Sequence, residues 1–121
     1  MHDLTIEAKD GFLQASARGE MNLDNAFELF TRTRDTAVKL GFTNVLVDLS
    51  SATGNLSDPD RYELGRSMAA YYRQSPKPLK VAVVGTPPLV NGFGARVAAN
   101  RGQAAEVFTD PTIAVAWLRG D

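Results

Sequence analysis

Two short, unbroken apolar runs constrain this chain more than any other feature: Val45-Leu46-Val47 ahead of Asp48-Leu49-Ser50, and Val81-Ala82-Val83-Val84 ahead of Gly85. Runs of this length, rich in β-branched residues and bounded by turn signals, suit strands that are covered on both faces, as the strands of a parallel sheet are. Such strands need crossover connections and helices to cover them. The chain therefore reads as α/β.

The segments around the two runs fit that reading. Residues 4–9 alternate apolar and polar, Asp10-Gly11 supplies a two-residue turn, and residues 12–17 read as the returning strand of an antiparallel hairpin. Asn22 can cap a helix in which Ala26, Phe27, Phe30, Thr33, Ala37 and Leu40 share a face until Gly41 stops it. The first apolar strand, residues 44–50, gives way to a polar, glycine-containing loop over residues 51–56. Ser57 or Asp58 then caps a helix that admits Pro59 in its first turn. Leu64, Met68, Tyr71 and Tyr72 follow at helical spacing until Pro76 and Pro78 force extended backbone.

Beyond the second apolar run, Thr86-Pro87-Pro88 makes a stiff exit. Leu89, Phe93 and Val97 then mark a helix that Gly92 and Gly94 weaken by about 1 kcal/mol each relative to alanine. Residues 104–108 form a short strand, and Asp110-Pro111 opens a last helix carrying Ile113, Ala114, Trp117 and Leu118. The order is ββαβαβαβα: a mixed sheet, parallel through its apolar strands, with an antiparallel hairpin at one edge. The 121 residues form one domain, 1–121, that would expose roughly 6,400 Å² when folded.

Composition removes several chemistries. With no cysteine and one histidine, His2, on an end expected to fray, thiolate catalysis, disulfides and cysteine-based metal sites are excluded. A net charge of −1, with cations scattered among acids, argues against a nucleic-acid surface. The first residues lack a secretory pattern and no apolar run is long enough for a transmembrane segment, so the expected location is cytoplasmic. Neither Gly85-Thr86-Pro87-Pro88 nor Gly92-Phe93-Gly94 reproduces a dinucleotide or phosphate-loop motif. Asp48, Asp58 and Asp60 match no calcium-loop spacing. No cofactor and no metal are expected, and no nucleophile and base stand at catalytic spacing.

The ends of parallel strands are where open α/β sheets hold ligands. Here that edge would gather Asp48, Ser50, Ser51, Gly54 and Asn55 from one loop, and Thr86, Asn91 and Arg96 from the next. Together they could hold a small anionic ligand. Equally, Asp48 and the serines could tie down their own loop through backbone hydrogen bonds, with Arg96 in solvent. Tyr71 and Tyr72 point about 100° apart on their helix, so one of them is a candidate contact alongside Tyr62 and Arg73. Phe93 is either a core anchor or a pocket residue.

The stretches VLVDLSSATGNLSDPDR (45–61), KVAVVGTPP (80–88) and VFTDPTIAVAWLRG (107–120), taken in this order, resemble the SpoIIAA-like family of STAS-type domains, relatives of bacterial anti-sigma-factor antagonists. The resemblance covers essentially the whole chain. It implies a four- or five-stranded sheet with helices largely on one side, and no established catalytic set. In the antagonists, a serine of an Asp-Ser-Ser-Gly-like stretch at the start of the helix after the central strand is phosphorylated by a partner kinase. Here that region reads Leu56-Ser57-Asp58-Pro59-Asp60, so Ser57 is the positional phosphorylation candidate, with two aspartates that would repel a phosphate. The expected function is a non-enzymatic interaction or regulatory domain, binding a protein partner or a second copy of itself. The alternatives are a small-molecule or lipid-binding domain with an apolar pocket near residues 86–97, lined by Leu89, Phe93 and Val97, and an enzyme of unassigned reaction.

Overall fold

The computed structural model describes residues 2–120, with side chains from Asp3 onward, so the His2 side chain lies outside the described residues. Five strands, β1 (His2–Ala8), β2 (Leu13–Met21), β3 (Asn44–Gly54), β4 (Lys80–Val84) and β5 (Ala104–Phe108), lie side by side in chain order. The β1–β2 hairpin is antiparallel, and every later neighbour pairs in parallel. Four helices complete the chain: α1 (Leu23–Leu40), α2 (Asp58–Tyr72), α3 (Phe93–Asn100) and α4 (Pro111–Arg119).

This order decides where the helices go. From β2 to β5 each crossover advances one strand in the same direction, so right-handed connections place α1, α2 and α3 on one face of the sheet. Ala15, Val45, Val47, Val81 and Val83 form that face's core. The last helix follows the last strand and is free of the rule. It covers the other face, where Ala114 and Leu118 pack on Leu46, Ala82 and Val84. The two apolar strands are thus buried on both sides, as their composition requires.

Helix ends follow the local chemistry. The Asn22 side chain accepts from the Asn25 N–H at 2.8 Å, Ser57 from Asp60 at 3.1 Å and Asp110 from Thr112 at 2.8 Å. Gly41 closes α1 in the left-handed conformation, at φ 83°.

Several boundaries and faces differ from expectation. The strand β3 does not stop at Ser50: residues 51–54 pair with residues 18–21 of β2, past a register shift after Ser16. Backbone pairing with a neighbour extends a strand whatever its side chains, and the polar residues sit where the sheet meets solvent. On α1 the inward stripe is Ala26, Leu29, Thr33 and Ala37, with Phe27 half-buried and Leu40 exposed. Leu89 lies in a turn ahead of α3, which starts only at Phe93, because Gly92 adopts φ 86° and Asn91 Oδ1 takes the Phe93 N–H. Ile113 points to solvent. Trp117 lies beside Phe108, with the Lys80 ammonium 4.3 Å from its ring centre.

Candidate functional site

The residues expected at the strand-end edge do not converge on one site. Asp48 Oδ1 accepts from both the N–H of Ser50 (2.9 Å) and its hydroxyl (2.6 Å), which holds the backbone at the register shift. Ser50, Ser51 and Gly54 belong to the exposed β3 extension rather than to a loop. Gly54 has φ 100°, and a β-carbon there would stand 2.8 Å from the Met21 carbonyl oxygen, so the close approach of β3 to β2 requires glycine. Ser57 caps α2, and Thr86 is exposed. Asn91 and Arg96 both line a hollow of about 350 Å³ between α3 and β5, with Glu106.

The residue that joins the two strand-end loops is one that the sequence reading passed over. Arg61, in the first turn of α2, is 7% exposed. Its Nη2 donates to Asn55 Oδ1 (2.9 Å), to the Leu89 carbonyl (3.2 Å) and to the Pro88 carbonyl, while Nη1 donates to Asp58 Oδ1 (3.3 Å). The stretch between β3 and α2 and the stretch between β4 and α3 are therefore pinned to one guanidinium. A signal for it exists: Arg61 stands four residues before Gly65 and eight before Ala69, on the stripe that α2 buries.

The tyrosines separate. Tyr72 is buried and its hydroxyl donates to the Phe30 carbonyl at 2.6 Å; burial drives its pKa far above the usual tyrosine value. Tyr71 is half-buried under the Arg34 guanidinium, 4.4 Å from the ring centre. Its hydroxyl donates to Asp35 at 2.5 Å, and that hydrogen bond, ahead of desolvation, raises its pKa. Arg34 also donates to Ser75, tying α1 to the turn that follows α2. Tyr62 is the large side chain that α2 leaves in solvent, 44% exposed, with its hydroxyl accepting from Arg101 at 2.9 Å. Arg73 is exposed and donates to the Arg101 carbonyl at 3.4 Å.

Beneath α2 and α3 lies a cavity of about 110 Å³. Val81, Val83 and Val107 floor it, Leu64 and Met68 of α2 wall it, and Leu89 and Val90 close one end. Of the three residues expected to line an apolar groove here, Leu89 does and Phe93 and Val97 do not. The reason is the approach of the two helices: Val97 packs directly against Gly65, so the open space falls to either side of that contact. Among the described residues, Arg61 is the single charged side chain in the cavity wall.

Among the described residues no group of three or more acidic or histidine side chains is placed to hold a metal, and no helix is long and apolar enough to cross a membrane.

No protein-family model matches the chain, and no curated protein matches it significantly. Solved structures do. An anti-sigma factor antagonist from Mycobacterium paratuberculosis superposes with a TM-score of 0.68 at 18% identity, over 98% of this chain and 95% of that one. An uncharacterised protein with a SpoIIAA-like fold from Shewanella loihica gives 0.55 at 24% identity, over 97% and 93%. The anti-sigma factor antagonist SpoIIAA in its unphosphorylated form gives 0.53 at 14% identity, over 98% and 100%. The chain has the SpoIIAA-like fold.

Proposed function

We propose that this SpoIIAA-like domain is a non-enzymatic interaction module that binds a protein partner, or a second copy of itself, through the surface where β3 runs into α2. Tyr62 carries the reading. It is a tyrosine held out of the core on the first turns of α2, with an arginine against it, and Tyr with Arg is the side-chain chemistry favoured at the centre of protein contacts. The exposed end of β3, with Ser50, Ser51 and Gly54, leads through Asn55 into the same helix start. The fold is shared with a protein described as an anti-sigma factor antagonist, which supports a partner-binding role. Of the two tyrosines proposed from spacing, Tyr71 is half-buried and bound to Arg34 and Asp35, while Tyr72 is part of the core.

Site-specific photocrosslinking tests this reading. A crosslinker at position 62 is expected to give one discrete adduct, weakened by Ser51→Arg, whereas one at Ile113 on the opposite face gives none. Native mass spectrometry then separates a homodimer from a heteromer. No adduct at 62, or equal adducts at both positions, would sink the proposal.

A second reading rests on the cavity. A largely apolar space of about 110 Å³ suits a small apolar molecule, since an engineered apolar cavity of roughly 150 Å³ takes up benzene. Freshly purified protein that carries extra mass under native but not denaturing conditions would support it. Protein that stays at its bare mass and gains no thermal stability from dissolved benzene would remove it.

A further inference from the structure

We infer that the cavity selects a small monocarboxylate with an apolar body, the carboxylate meeting Arg61 and the body lying among Leu64, Met68, Val83 and Leu89. This deepens the small-molecule reading above and rests on it. The wall contributes one charge, and that charge is positive.

Neutralisation of the guanidinium is incomplete. Three of its four hydrogen-bond acceptors are neutral: the Asn55 amide oxygen and the carbonyls of Pro88 and Leu89. The fourth is Asp58, whose side chain is 74% exposed and so largely screened by water. A cation that is 7% exposed and faces mainly neutral oxygens favours a further anion, because charge interactions strengthen as water is removed.

The donor geometry agrees. Nη2 serves three acceptors and Nη1 serves one, so the Nε–H and the second Nη1–H have no partner among the described residues. Among those residues no fully buried side-chain nitrogen or oxygen lacks a partner, so Nε, which has none, is not fully buried. A carboxylate oxygen can accept from that Nε–H in a charge-assisted hydrogen bond.

Size sets the rest. About 110 Å³ is smaller than the space that takes up benzene, which limits the body to a short branched or small cyclic group unless α2 and α3 move apart. A phosphate monoester would bring about two negative charges at pH 7 against the single cation.

The test compares 3-methylbutanoate with 3-methylbutan-1-ol by amide chemical-shift titration of the full chain. The acid is expected to perturb Leu64, Val83 and Leu89 and to bind about tenfold more tightly than the alcohol, the difference a charge-assisted hydrogen bond supplies. Arg61→Met should erase that preference. The comparison of the two probes on the unsubstituted protein needs no variant, so a misfolded Arg61→Met leaves the test intact. Equal affinity for acid and alcohol overturns the carboxylate inference and leaves the small-molecule reading standing. Silence at the lining residues with both probes overturns both.

Discussion

Gly65 of α2 and Gly94 of α3 meet so closely that a β-carbon on Gly65 would stand 2.5 Å from the Gly94 carbonyl oxygen and 3.0 Å from Val97 Cβ. This contact sets the spacing of the two helices above the cavity. The relationship is not symmetric, since a β-carbon on Gly94 would come no nearer than 3.5 Å to the Arg61 carbonyl oxygen, an ordinary contact. Both positions are helical and neither needs a left-handed backbone.

The two glycines should therefore respond oppositely to alanine. Gly94→Ala should be neutral or stabilising, up to the roughly 1 kcal/mol of helix propensity that alanine gains over glycine. Gly65→Ala gains the same propensity but forces the helices apart, and overpacking of this kind costs about 1–3 kcal/mol. Urea unfolding of the two variants measures the difference. Equal stabilities would mean that the crossing yields more readily than its geometry implies.

Tyr72 gives the fold a sensitivity to alkali. Its pKa is raised in the folded state, chiefly by burial, from a reference of 10.0. Below pH 10 the hydroxyl is protonated in both states and contributes no pH dependence. Above it the unfolded chain loses a proton that the folded chain keeps, so unfolding becomes easier by up to about 1.4 kcal/mol per pH unit. Tyr72→Phe should flatten that slope while costing about 1 kcal/mol at neutral pH through the lost bond to the Phe30 carbonyl. Chemical denaturation at pH 7 through 11 reads both effects.

Ser57 tests a cap. Ser57→Ala should lower stability by about 1 kcal/mol, because the Asp60 N–H loses its acceptor, while Ser57→Asp restores an acceptor and should recover most of the loss. The measurement is the shift in urea midpoint at constant slope. Loss of stability with aspartate equal to that with alanine would assign the serine a role other than capping.

What could be read from the sequence divides along the same line. The caps at Asn22, Ser57 and Asp110 are local chemistry, between residues two or three apart, and they are where they were expected. The apolar runs at 45–47 and 81–84 place β3 and β4 for the same reason, and their order fixes the face on which α1, α2 and α3 lie. Residues 51–54 carry no strand signal of their own. Their pairing with residues 18–21 depends on a partner some thirty residues away, across a register shift. The pocket expected near residues 86–97 is there, but its lining and the place of Arg61 depend on distant contacts: Gly65 meets Val97, which leaves Leu89 in the wall without Phe93 or Val97, and two loops fold over the guanidinium. The spacing of Arg61, Gly65 and Ala69 marks the buried stripe of α2 but not what the guanidinium meets there.

Val83 and Val84 turn the cavity into a stability measurement. They are neighbours on one strand, so their side chains point to opposite faces: Val83 lines the cavity under α2, and Val84 lies 1% exposed in the core beneath α4. Adding one methylene to each asks which face has room. Val84→Ile must displace packed neighbours and should cost about 1–3 kcal/mol. Val83→Ile can extend into open space, gaining up to roughly 0.8 kcal/mol from the buried methylene, and should leave stability unchanged or higher. The same substitution shrinks the cavity, so it should also weaken 3-methylbutanoate binding without touching Arg61. Equal costs at the two positions would mean that the front face is as tightly filled as the back, and both the small-molecule reading and the carboxylate inference would lose the space on which they depend.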